Sequence, residues 1–290
     1  MEACLSHPIY DPVRPALARL ARGPDWPDCT RLNALARELG AAPRTASGKP
    51  VRFASPPGDD ANYEMRVHAS GTVATRAHDW HDLFNALAWL SFPRIKSALN
   101  ARHAAQIPRE SGQRGPLRDL LTIFDEGGVI VAFSEPSLVE LIRSFRWREL
   151  FWTRREQALH SLRFVVVGHA VLEQARRPWP GITCKALFVP VAAALLDTPA
   201  EPLRARLDEQ AARWFVAAQD DLTPRALAPL PVFGYPGWFP GNDCEAFYAD
   251  TRYFRPLSRR ATVEYARESA RQPLRASAEE SPGSTERDAG

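Results

Sequence analysis

Lysine is almost missing from this 290-residue chain: Lys49, Lys96 and Lys185 are the only three, and arginine supplies the rest of the 37 basic side chains. These face 34 acidic residues, for a net charge of +3, so the balance marks neither a polybasic nor an acidic protein. Arginine richness by itself fits a GC-rich coding bias. Contact with nucleic acid would require the arginines on one face. Cysteine is also sparse. Cys4, Cys29, Cys184 and Cys244 stand far apart without a CxxC pair, which gives no disulfide framework in a chain this long. Buried thiols in a reducing, cytoplasmic compartment are the expectation. No window approaches the eighteen or more apolar residues that a membrane span needs, and the run Phe164-Val165-Val166-Val167 is broken at once by Gly168 and His169. The first residues lack a basic stretch leading into an apolar run, so no signal peptide is expected. Walker loop, GxGxxG, GxSxG and zinc-finger spacings are absent as well. Readings as an ATPase, a dinucleotide enzyme or a serine hydrolase therefore have no support.

Proline, by contrast, is abundant: 26 residues, against an average near ~5%. Each one fixes φ and removes a backbone donor, so short helices joined by long ordered loops are expected. The hydrophobic fraction of 45% is that of an ordinary globular protein. The fold class expected is mainly α (α+β), with a small β element. A single domain over residues 1–260 would be followed by a tail at 261–290, whose Ala, Arg, Glu, Ser and Pro composition predicts disorder.

Helices are expected near Arg14–Arg22 and over Cys29–Leu39, with Asp28 or Thr30 as cap. The stretch from Ala41 to Asp60 reads as loop. Tyr63–His68 alternates like a strand, with Gly71-Thr72-Val73 as the turn into its partner. An apolar periodic helix begins near Asp79 and ends at Pro93, and a second runs over Arg94–Ala105. Arg118–Phe124 continues as a short helix or extended piece, Gly127-Gly128 as a turn, and Val129–Phe133 as a buried strand. Helices follow at Leu138–Phe145, Trp147–Arg155 and Glu156–Arg176, then a strand at Thr183–Val189 and a helix carrying Leu203, Leu207, Ala211 and Phe215. Residues 224–242, rich in proline and aromatics, should wrap the body as an ordered loop.

The densest polar region is His78–His103. On a helix from Asp79, His81 and Asn85 are four apart and share a face; Lys96, Asn100 and His103 do the same on the next helix. A hairpin at Pro93 would let them converge. Imidazoles with carboxylates suit a divalent metal such as zinc, held by His78, His81, His103, His169 and Glu173. They suit metal-free acid–base chemistry equally, and a purely structural polar network would use the same letters. The spacing HDWHD is no HExxH motif. Asp125-Glu126 projects from the end of an element, either as turn acids or as site carboxylates. His169 and Glu173 are one helical turn apart, as a core pair or as site residues. Lys185, alone in a strand, reads as a salt-bridge partner. The candidate catalytic set is thus His81, Asp82, His103, Asp125 and Glu126. Arg76, Asn85, Arg94, Lys96 and Asn100 are the candidates for holding an anionic small molecule. Arginines interleave with aromatics over Arg143–Arg155 in a pattern that suits single-stranded nucleic acid, but those aromatics also fall where a helix buries them.

Several stretches together resemble a bacterial family known as domain of unknown function 3025. They are Tyr63-Glu64-x-Arg66, Gly71-Thr72-Val73-x-Thr75-Arg76, the block from His78 to His103, Leu121-Thr122-Ile123-Phe124-Asp125-Glu126, Trp147-x-x-Leu150-Phe151, Gly168-His169-Ala170-x-Leu172-Glu173 and the closing Gly237-Trp238, Asn242, Phe247-Tyr248 and Phe254-Arg255-Pro256. The resemblance covers roughly residues 10–257. It implies one contiguous domain and carries no activity, cofactor or substrate. Asn more often stands in that family where this chain has Asp79, so Asp79 is given no functional weight. The functional expectation drawn from the residues is a metal-dependent, hydrolase-like pocket for an anionic small molecule. The alternatives are a non-catalytic binding or assembly protein built on a buried polar network, and a nucleic-acid binder.

Overall fold

The computed structural model describes residues 6–23, 25–40, 42–56, 58, 63–257, 268 and 270–272. In chain order these form α1 (Arg14–Leu20), α2 (Cys29–Glu38), β1 (Arg52–Ala54), α3 (Tyr63–Ser70), β2 (Thr72–Ala74), α4 (Trp80–Ser91), α5 (Pro93–Gln106), α6 (Pro116–Gly127) and β3 (Gly128–Phe133). There follow α7 (Pro136–Arg143), a π-helical turn at Glu149–Thr153, α8 (Arg155–Ser161), β4 (Leu162–Val166), α9 (His169–Gln174), β5 (Thr183–Pro190), α10 (Ala193–Leu196), α11 (Ala200–Ala217) and β6 (Ala228–Pro231). The protein is mainly helical with a small mixed sheet, as its composition predicts.

The uncharged strand β3 is buried at all six positions and organises the core. It pairs antiparallel with β4 and parallel with β5, and β5 pairs antiparallel with β6. Alternate residues divide between two faces. Val129, Val131 and Phe133 pack with Leu162, Phe164 and Phe188 on one side; Ile130 and Ala132 pack with Val165, Leu187 and Phe215 on the other. A strand that is apolar on both faces needs helices on both. Here α4 covers the first face, while α5, α6 and α11 cover the second.

Three expectations are corrected. Tyr63–His68 is the helix α3, and β2 pairs in parallel with β1, inside the stretch read as loop. Gly71, at φ +73, ends α3 and lies so close to Pro50 that a Cβ there would strike its carbonyl. The helix expected over Glu156–Arg176 is split in three, because Leu162–Val166 leaves α8 to become β4 against β3. The β-branched pair Val165-Val166 favours that outcome.

The proline-rich stretch 224–242 does wrap the body, and it adds a short strand, β6. Trp147 and Phe151 are buried, and Phe145 and Trp152 pack on the core, so the aromatics of 143–155 offer no open stacking platform. Cys184 is buried and Cys29 half-buried, whereas Cys244 is exposed. No described helix is long and apolar enough to cross a membrane. In the C-terminal segment, Gln272 is buried and its side chain bonds the backbone of Ala186, Phe188 and Ala226. Apart from Glu268 and residues 270–272, the segment 261–290 lies outside the described residues.

Candidate metal centre

Asp79 caps α4 by accepting the Asp82 N–H at 3.0 Å. Asp82 does not return the favour. Its carboxylate takes the Arg76 backbone N–H at 2.7 Å and the Arg76 guanidinium at 2.8 and 2.9 Å. Burial works to raise the Asp82 carboxyl, but these bonds hold it below the usual carboxylate range. The helix α4 ends at Phe92, and Pro93 starts α5, whose first free N–H groups, on Arg94 and Ile95, donate to Asp208 of α11 at 3.1 and 2.9 Å. The Pro93 hairpin therefore forms, with His81 and Asn85 on α4 and with Lys96, Asn100 and His103 buried together on α5.

The third contributor is α6, which delivers Asp125 and Glu126 in its last turn. The fourth is α9, which begins with His169 directly after Gly168. A Cβ on Gly168 would sit 2.5 Å from Gly128 N and 2.6 Å from Glu126 O. That contact is backbone against backbone, so nothing flexible can yield. Gly168 is what lets His169 approach Glu126. We expect Gly168→Ala to cost about 1–3 kcal/mol in urea unfolding and to weaken metal uptake, although its φ of −61 suits alanine.

These elements bring three ligand atoms together. His81 Nε2 lies 3.1 Å from His169 Nε2, and Glu126 Oε2 lies 3.8 Å from the first and 3.4 Å from the second. A triangle with those sides has a centre about 2.0 Å from each corner, which is the bond length zinc makes to imidazole nitrogen and carboxylate oxygen. The ring planes stand at 71°, so the two imidazoles meet edge to face through their Nε2 atoms, which form a hydrogen bond that a metal ion would replace. Behind the ligand atoms the two imidazoles differ: His81 Nδ1 is hydrogen-bonded to Glu173 Oε2 at 3.3 Å, whereas His169 Nδ1 lies 3.9 Å from Asp125 Oδ2 and makes no hydrogen bond among the described residues. Carboxylates behind the ligating imidazoles fix tautomer and orientation in metal sites. The set can hold a divalent cation while leaving further coordination positions open.

The electrostatics suit that use. Burial pushes His169 down to about 3, so its imidazole is neutral, the form that ligates a metal. Burial, then Asp125, push the Glu126 carboxyl up. Burial also opposes ionisation of Asp125, but the ammonium of Lys96 wins and keeps its carboxyl below the ordinary range. Lys96 Nζ donates to Asp125 Oδ1 at 2.5 Å and to Asn85 Oδ1 at 2.8 Å, and Asn85 Nδ2 reaches Tyr63 Oη at 3.2 Å. A buried polar and ion-paired network therefore underlies the three ligands.

The site opens on a cavity of about 660 Å³ that both His81 and His103 line, along with Arg76, Asp82, Asn85, Asp125, Glu126 and His169. Other expected residues fall elsewhere. His78, at φ +57, is exposed and packs its ring 5.6 Å from that of Trp26, away from the cavity. Arg94 is exposed and turns to Glu209 at 3.5 Å. Lys96 is buried beneath Asp125, and Asn100 donates to Glu64 at 2.6 Å. His103 lies on the cavity wall but is no corner of the triangle; its Nδ1 accepts from Arg118 Nε at 3.4 Å. Glu173 sits behind His81.

Sequence reasoning passed over Tyr63, Glu64, Arg114, Arg118 and Thr122, all of which line the cavity. Arg118, Thr122, Asp125 and Glu126 share one face of α6, a spacing visible in the sequence once the segment is read as one helix.

Burial lowers His103 to about 4, with Asp125 opposing and Arg118, Arg114 and Lys96 assisting. An ordinary histidine titrates near ~6.5, so the unfolded chain takes up this proton first. The resulting stability is complete above pH 6.5 and is lost as pH falls toward 4, by roughly 3 kcal/mol at the lower end. His103→Leu should flatten the acid side of the stability profile by about that amount, measured by urea unfolding between pH 7 and pH 4.

No curated protein and no solved structure matches the chain. A family model described as "Protein of unknown function (DUF3025)" matches residues 51–259, a span that starts later than the resemblance read from the sequence but contains every ligand described above. The chain belongs to that family.

Proposed function

We propose that the cavity is the active site of a metal-dependent hydrolase acting on an anionic small molecule. The observation that carries this reading is the convergence of His81 Nε2, His169 Nε2 and Glu126 Oε2 at metal-bonding separations, with the Glu173 carboxylate hydrogen-bonded behind His81. A zinc-type ion held there would lower the pKa of a bound water toward neutrality and supply a nucleophile. The chain's own groups would do the rest. Glu64, on the same wall, is raised by burial despite its bond from Asn100. It keeps its proton to higher pH than an ordinary glutamate, which suits protonation of a leaving group. Three ligands leave room for substrate, and the volume fits a small molecule.

Elemental analysis of protein purified without added metal tests the proposal, followed by a hydrolysis screen over ester, amide and phosphoester substrates. The expected result is about one divalent ion per chain and a hydrolytic activity lost on chelation and restored by the ion. Failure to take up metal, with His81→Ala still folded and indistinguishable from wild type, would leave only the buried network, the reading as a non-catalytic binding or assembly protein.

A further inference from the structure

We infer that the end of the cavity formed by Arg114, Arg118 and His103 is an oxyanion subsite, so that the substrate carries a terminal carboxylate or phosphate there, away from the bond that is cleaved. The inference rests on the metal-centre reading and adds to it which end of the substrate the anion occupies.

The positions on α6 set the separation. Arg118 and Glu126 are eight residues apart on the same lining face, about 12 Å along the helix axis, with Thr122 midway. An anion at the arginine end is therefore not the group presented to His81, Glu126 and His169. The cations named from the sequence are paired: Arg94 with Glu209, Lys96 with Asp125 and Arg76, through Nε and Nη2, with Asp82.

Arg114 differs from all three. Its ion pair with Asp119 is loose, at 3.9 Å, and its side chain is partly exposed at the cavity rim. Glu110 holds the loop in place by accepting the Gly115 N–H at 2.7 Å and Arg118 Nη1 at 2.6 Å, which sets the two guanidiniums on one stretch of wall. His103 completes the donor set. Because its Nδ1 accepts from Arg118, the neutral ring carries its proton on Nε2, for which no hydrogen-bond acceptor stands among the described residues. The loosely held Arg114 fork and Arg118 Nη2, left over from the bonds to Glu110 and His103, stand beside a neutral N–H donor and the Thr122 hydroxyl, the chemistry that grips a carboxylate or phosphate. Three guanidiniums and four carboxyls line the cavity, so its own charges nearly cancel, and a bound divalent cation would tip the balance toward an anion.

Calorimetric titration of the zinc-loaded protein with α,ω-dicarboxylates from malonate to suberate, beside monocarboxylates and phosphonocarboxylates of equal length, tests this. Affinity should pass through a maximum at a chain long enough to reach both ends, at least tenfold tighter than the matching monocarboxylate. Arg114→Ala, at an exposed position, should reduce that maximum at least fivefold with folding and zinc uptake intact. A tighter phosphonocarboxylate assigns the terminal group as phosphate, and a tighter dicarboxylate assigns it as carboxylate. A flat series, or a maximum insensitive to Arg114→Ala, in protein that does hold zinc overturns the subsite alone. Protein that takes up no zinc overturns the metal centre and the subsite with it.

Discussion

Replacing His169 with alanine will remove stoichiometric zinc binding while leaving the chain folded. Substitution of an outer partner of a ligand usually costs roughly 10–100-fold in metal affinity, and loss of a ligand should exceed that. His169 is the most enclosed of the three ligands, and its burial keeps the ring neutral, so a metal does not have to compete with imidazolium formation at physiological pH. Removing the ring leaves His81 and Glu126, which cannot enclose an ion by themselves. Glu173→Gln should fall within the roughly 10–100-fold range, because it weakens only the orientation of His81. His78→Ala should have no effect, since that ring lies against Trp26. Competition of the three variants against a chromogenic chelator would rank them.

Lys96→Met will be the most destabilising single change at the site, by about 3–5 kcal/mol. Lys96 is 4% exposed and sits between Asp125, Asn85 and the ring of Trp89. Methionine fills its volume but strands the Asp125 carboxylate in a place where burial already works against ionisation. An uncompensated buried charge, more than the lost bond itself, sets the size of the effect. Lys96→Met combined with Asp125→Asn should therefore recover part of the loss, and the non-additivity of the pair in urea unfolding reports the coupling.

What could be read from the sequence was whatever depends on neighbours along the chain. The pairing of His81 with Asn85, the stripe Lys96, Asn100, His103, the Pro93 corner and the buried strand after Gly128 all follow from periodicity and breakers. What could not be read depends on distant partners. Tyr63–Ser70 buries only Val67, so its local pattern decides little; its bond from Asn100 on α5 ties it as a helix. The split of Glu156–Arg176 reflects an open edge of β3 that only the fold reveals. Arg94, an anion-binding candidate beside the polar cluster in the sequence, has its backbone held by Asp208, 114 residues on, and its side chain is drawn the same way. Glu126 and His169 meet because Gly168 has no side chain, and neither residue's own neighbourhood announces a partner across the sheet.

X-ray absorption at the zinc edge of the loaded protein is the most direct test of the central claim. The structure predicts two imidazole nitrogens and a carboxylate oxygen at about 2.0–2.2 Å, with remaining light-atom scattering from solvent, and loss of one imidazole in His81→Ala. A shell without two imidazoles, a shell containing sulfur, or a spectrum unchanged by His81→Ala would contradict it.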